Sequence, residues 1–115
     1  MKGEDKEKIE GIIRDRNDGH RFYSANSPVY RAFLQMEAAA FADGELPKGH
    51  KELIAVGISI INCESCLEWH IKQALDAGMT KAQIVEAISV GMEMGGGPAT
   101  VSSRFAMKVL SYYAE

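Results

Sequence analysis

The sequence predicts an all-α protein of about six helices. Three observations carry that expectation. Apolar residues recur at three- and four-residue spacing along most of the chain, helix-start signals stand at Ser27-Pro28 and Thr80-x-x-Gln83, and glycine or proline punctuates the segments between. No segment reads as a convincing strand.

The first helix is expected over about Glu4 to Asn17, where Ile9, Ile12 and Ile13 form a narrow apolar face in a charged segment. Ser27 can cap a second helix that Pro28 opens, and Val29, Phe33, Met36, Ala40 and Phe41 carry an apolar stripe toward Gly44. Pro47-Lys48-Gly49 breaks the chain before Lys51 to Ile61, whose length and helical neighbours favour a third helix despite its β-branched residues. Almost every side of that helix is apolar, which predicts a subunit interface as well as a core contact. A fourth helix runs from Cys63 or Glu64 to Ala77 and closes at Gly78, the residue type that tolerates a left-handed ending. Thr80 with Gln83 has the capping-box spacing and opens a fifth, followed by Ile84, Ile88 and Met92. Gly95-Gly96-Gly97-Pro98 is a break, and Val101, Phe105, Val109 and Tyr112 stripe the last helix.

A chain of 115 residues suits one domain spanning residues 1–115, with 46% hydrophobic and 25% charged residues giving enough apolar material for one core. The net charge of −3 and the scattered Lys and Arg residues give no stripe for a phosphate backbone, so no nucleic-acid partner is expected. The charged N-terminus contains no secretory-signal core, and the longest uncharged apolar run, the nine residues Leu53 to Ile61, is well short of the ~20 that span a bilayer. A cytoplasmic protein without a membrane span is the expectation. No repeat or domain-length linker interrupts the chain. The glycine triplet lacks the strand–loop–helix setting of a nucleotide site, so no nucleotide cofactor is assigned.

The chemistry is concentrated in Cys63-Glu64-Ser65-Cys66-Leu67-Glu68-Trp69-His70. On a helix, thiols three residues apart and an imidazole four beyond the second share one face. At a helix start, unpaired amides and the positive end of the dipole favour a thiolate over the ordinary thiol, whose free pKa is about 8.5. Imidazole, with an ordinary pKa of about 6.5, suits His70 for accepting the Cys66 proton directly or through a water. Cysteines this close can form a disulfide, so the pair can reduce a substrate and wait for an electron donor.

Three other readings compete: a structural role for the cysteines, a zinc site, and a redox-sensing subunit whose disulfide closes without sustained turnover. Buried cysteines also serve as small hydrophobes, but two thiols and an imidazole on one face at a helix start fit an activated dithiol better. Zinc would need four ligands, and Cys63, Cys66 and His70 leave the fourth to Glu52, His50 or another chain. No metal is therefore assigned. Trp69, Met79, Met92 and Met94 read as core filling, and His20 and His50 as solvated loop residues.

The elements Lys51-Glu52-Leu53-Ile54-Ala55, Cys63-x-x-Cys66-x-x-x-His70, Ala77-Gly78 and Ile84-x-x-Ala87-Ile88 together resemble the carboxymuconolactone decarboxylase family, in its AhpD-like branch. The likeness covers about residues 28 to 112. It implies an AhpD-like helical bundle assembled as homotrimers or homohexamers, and alkylhydroperoxidase or disulfide-reductase activity, with a thiol or redox protein as electron donor. It further implies that Cys66 attacks the peroxide, that Cys63 resolves the sulfenic acid, and that His70 and Glu52 relay protons. Decarboxylation is not implied, because members performing it generally lack the cysteine pair. One departure stands: Leu53 to Asn62 is one residue shorter than the family spacing, about 100° of rotation if the whole segment were helical. The likeness alone therefore does not bring Glu52 to the thiols.

Overall fold

A computed structural model of the chain describes residues 1–60 and 63–114, and six helices account for most of them. In chain order these are α1 (Gly3–Asn26), α2 (Pro28–Phe41), α3 (Lys48–Ser59), α4 (Glu64–Asp76), α5 (Lys81–Gly95) and α6 (Gly97–Ala114). Among the described residues there is no strand. Ile61, which closes the apolar run, and Asn62 lie outside the described residues.

Local chemistry explains where the helices begin. Ser27 accepts a hydrogen bond from the Tyr30 amide at 3.0 Å with Pro28 in the first turn, as its type and position predict. Pro47 has no side chain to cap α3, and Asp43 Oδ1 takes that part instead, accepting from the Lys48 amide at 2.6 Å. Thr80 and Gln83 close the reciprocal capping box of α5, at 2.8 and 3.1 Å. α4 ends in a Schellman arrangement: Gly78, at φ 90°, donates to the Leu75 carbonyl and Met79 to that of Ala74, each at 3.0 Å.

Helices α3, α4, α5 and α6 make the main packing, with α3 and α6 each against both α4 and α5; α1 lies across α4 and α6, and α2 packs on α1 and α3 and reaches α4 through the Phe41 ring. Ile9, Val56, Ile60, Leu67, Ile71, Ile84 and Val109 fill the centre with no or almost no exposed surface. Each such burial is worth about 1.5–3 kcal/mol before conformational entropy is counted. Where α3 crosses α5, Gly91 brings the two backbones together: a side-chain carbon there would sit 2.6 Å from the Gly57 carbonyl oxygen.

Several expectations change. α1 runs nine residues past Asn17, through a polar segment with no apolar stripe, because polar pairs dock its second half. Arg16 pairs with Glu68 of α4, and His20 Nδ1 hydrogen-bonds the Tyr30 hydroxyl of α2 at 3.0 Å. His20 and His50 are therefore helical residues of α1 and α3, not loop residues. The break after α5 is one residue, Gly96 at φ 71°, with Gly95 closing α5 and Gly97-Pro98 opening α6. The α2 stripe is not buried in this chain: Val29 is 79% and Met36 61% exposed. Helix α3 divides between Val56, inside, and Ile58, 64% exposed, so it is not surrounded within one chain. Trp69, Met79 and Met92 are partly buried, whereas Met94 is 78% exposed and fills no core. No helix is long and apolar enough, among the described residues, to cross a membrane.

Candidate functional site

Cys63 is the N-cap of α4. Its sulfur accepts a hydrogen bond from the Cys66 amide at 3.1 Å, a contact usually made by a serine or aspartate oxygen. The structure joins Cys63 and Cys66 in a disulfide with 5.1 Å between their Cα atoms, within the range such a bond requires. Both residues are partly exposed. Helix geometry puts His70 one turn beyond Cys66 on the same side of α4.

His70 is held from α3. Its Nδ1 lies 2.7 Å from Glu52 Oε1, and Lys48 Nζ occupies the other carboxylate oxygen at 2.8 Å. Glu52 is 2% and the His70 side chain 15% exposed. A carboxylate only accepts, so Nδ1 carries the proton of this bond, and Nε2 of the neutral ring keeps its lone pair. The shorter spacing between Glu52 and Cys63 does not separate them into unconnected sites. α3 ends at Ser59, so the intervening segment is not one continuous helix.

Two residues that sequence reasoning passed over complete this corner. Phe41, at the end of α2, stacks on His70 with ring centroids 5.3 Å apart and planes 22° from parallel. The Lys48 ammonium lies 5.5 Å from the Phe41 centroid. Lys48 and Glu52 have the i, i+4 spacing of a helical ion pair, a signal that the supposed break at Pro47-Lys48-Gly49 concealed. The Phe41 contact joins two helices and left no trace in either local pattern.

A second buried carboxylate stands on the other side of α4. Glu68 is fully buried, paired with Arg16 of α1 and accepting from the Tyr113 hydroxyl of α6; Arg16 also donates to the Ser65 carbonyl at 3.3 Å and lies over the Trp69 ring. Burial first, and then the bond to Glu68, raise Tyr113 well above the ordinary tyrosine range. These residues tie α1, α4 and α6 together behind the disulfide.

Two hollows lie near the site, one lined by His70 and the other by Cys63. Phe41, Ile54, Ile58 and His70 line an apolar groove of about 390 Å³ between α2, α3 and α4. Cys63 lines a more polar cavity of about 590 Å³ between α1, α4 and α6. Of the residues weighed as zinc ligands, Glu52 is taken by Lys48 and His70, and His50 is exposed. Among the described residues, no three His, Cys, Asp or Glu side chains converge as a metal site requires.

The structure is similar to that of apo carboxymuconolactone decarboxylase family protein from Legionella pneumophila, at a TM-score of 0.88 and 24% identity over 94% of this chain and 98% of that one. It is also similar to a Thermotoga maritima protein of that family with a suggested involvement in antioxidative response, at a TM-score of 0.81 and 21% identity over 89% and 88% of the two chains. These likenesses speak to the fold. In sequence, the chain is 40% identical over 90 residues to an uncharacterised Cupriavidus necator protein, covering 77% of each. It is 41% identical over 87 residues to uncharacterised protein 4 of the Paracoccus denitrificans cox locus, covering 75% of this chain and 78% of that one. The family model for carboxymuconolactone decarboxylases matches residues 27–108, from the cap of α2 into the last turns of α6 and across both cysteines, so the chain belongs to the carboxymuconolactone decarboxylase family.

Proposed function

We propose that this protein is a dithiol oxidoreductase of the AhpD-like branch, which reduces an organic hydroperoxide or a disulfide through Cys63 and Cys66. The observation that carries the reading is the disulfide at the first turn of α4, one turn from an imidazole that a buried carboxylate holds by Nδ1. The suggested antioxidative involvement of the Thermotoga relative is in keeping with it.

In the reduced protein, the Cys66 thiolate attacks the terminal peroxide oxygen and the O–O bond breaks. The alcohol leaves with a proton from protonated His70, and Cys66 becomes a sulfenic acid. Cys63 attacks that sulfur, water departs, and the disulfide closes. An external thiol donor or redox protein then returns two electrons. With a disulfide substrate, Cys66 attacks sulfur instead and Cys63 resolves the mixed disulfide. Glu52 acts as a positioning residue, since its contact is to His70 rather than to sulfur. The groove beside His70 is apolar, which favours substrates with a hydrocarbon part.

The exposed stripe of α2 and the outer face of α3 support assembly into a homotrimer or homohexamer, and a dithiol that must cycle suits a reducing, cytoplasmic setting. The test is a screen of peroxides and small disulfides against the reduced protein, with intact-mass measurement of the product. Loss of two hydrogens, mapped to a Cys63–Cys66 bridge within seconds of adding a substrate, is expected. A protein that stays reduced against every oxidant, or that holds stoichiometric zinc on purification, would overturn the proposal.

A further inference from the structure

The two hollows near the site differ in chemistry, and only the more polar one has a cysteine in its wall. His70 lines the apolar groove, whereas Cys63 lines the separate cavity between α1, α4 and α6. Three cations border that cavity, Lys8, Arg104 and Lys108, against two carboxylates, Asp5 and Glu64, a surplus of one positive charge. Both carboxylates are engaged: Lys8 holds Glu64 and Lys108 holds Asp5, each at 2.9 Å. Arg104 makes no ion pair among the described residues, so its guanidinium offers an open fork to an incoming anion. The cavity, at about 590 Å³, has the size of a small-molecule site, and a cysteine of the redox pair is in its wall.

Resting on the dithiol reading above, the geometry points to this cavity as the entry of the reductant, a small thiol carrying a carboxylate that pairs with Arg104 while its sulfur meets Cys63. The donor thiolate attacks the Cys63 sulfur, the Cys63–Cys66 bond breaks, and Cys66 leaves as a thiolate at the start of α4. A second donor thiolate attacks the donor sulfur of the mixed disulfide and expels the Cys63 thiolate. Two donor thiols are oxidised to one disulfide, the protein gains two electrons, and the two protons released by the donors can protonate the protein thiolates.

The experiment measures reduction of the oxidised protein by mercaptoacetate, which is anionic, and by 2-mercaptoethanol, which is neutral. The ratio of their rate constants, taken relative to wild type, cancels the different nucleophilicities of the two thiols. In Arg104→Glu the ratio is expected to fall about tenfold, the scale of a local charge acting on encounter, and in Arg104→Ala by less. Raising the salt concentration should compress the wild-type ratio toward that of Arg104→Ala. Lys81→Glu makes the same change in net charge at the start of α5, beside a different hollow, and should leave the ratio unchanged. An unaltered ratio in Arg104→Glu, or an equal fall in Lys81→Glu, overturns the donor site while leaving the dithiol reading intact. Failure of both thiols to reduce the wild-type disulfide overturns the dithiol reading itself.

Discussion

Replacing Gly91 by alanine tests the packing that holds α3 in place. The new carbon would lie 2.5 Å from Ile60 Cδ1 and 2.6 Å from the Gly57 carbonyl oxygen, where ordinary contacts are nearer 3.5 Å. Ile60 can turn its terminal methyl aside. The Gly57 carbonyl belongs to the α3 backbone and cannot move alone, so α5 must back away from α3 by up to about 1 Å and loosen the buried contacts around Val56, Ile60 and Ile88. Overpacking of this kind costs about 1–3 kcal/mol, and alanine's better helix propensity returns at most about 1 kcal/mol. The net expectation is a loss of about 1 kcal/mol, or roughly 3–6 °C in Tm for a chain of this size. Gly19→Ala is the matched control, because its new carbon meets nothing within 4 Å in the interior of α1. It should gain about 0.5–1 kcal/mol. Urea denaturation of both variants, checked for equal m-values, reads the two signs. If Gly91→Ala is as stable as Gly19→Ala, the close crossing of α3 and α5 is wrong.

Glu52→Gln keeps the shape beside His70 but removes the charge that fixes the ring's tautomer. A hydrogen bond to a charged group is worth about 1.5–3 kcal/mol, so kcat/KM should fall roughly 10- to 100-fold with an altered pH profile. Stability should change little, because Lys48 is exposed enough to turn to water, and steady-state rates beside a melting curve separate the two effects. Glu68→Ala strips Arg16 and Tyr113 of their buried partner, and chemical denaturation should show a loss of about 3 kcal/mol; a neutral result would mean the three residues are not tied as described. Tyr113 is raised from 10.0, so its neutral form is favoured in the folded state. That contribution is complete below pH 10.0 and is lost as pH rises through the higher folded value. Stability should therefore decline as pH rises from 10.0 toward the folded value, and less steeply in Tyr113→Phe, as alkaline unfolding followed by tyrosine absorbance would show.

Much of the helical order was legible because its signals are local. Ser27-Pro28, the Thr80 and Gln83 box and the glycine at 78 each act within one turn, and the structure puts all of them to that use. The cysteine pair was legible for the same reason, since one turn of α4 brings the two sulfurs together. What the sequence hid is non-local. The second half of α1 carries no apolar stripe and is docked by Arg16 and His20, whose partners Glu68 and Tyr30 sit 52 and 10 residues away. Phe41 was visible as one more apolar residue, but its place over His70 depends on how α2 meets α3 and α4. Met94 was mistaken for core because hydrophobicity alone does not say which face of α5 turns inward. Glu52 and His70 meet across the packing of α3 on α4, 18 residues apart in the chain, a contact that no local spacing specifies.

The most direct measurement is turnover by Cys66→Ser beside the wild type, using the best hydroperoxide or disulfide from the substrate screen and a thiol donor in excess. Wild-type protein should consume the oxidant catalytically and pass through the Cys63–Cys66 disulfide, and Cys66→Ser should fall to the rate of donor alone while remaining folded. Undiminished turnover in the variant would contradict the account at its centre.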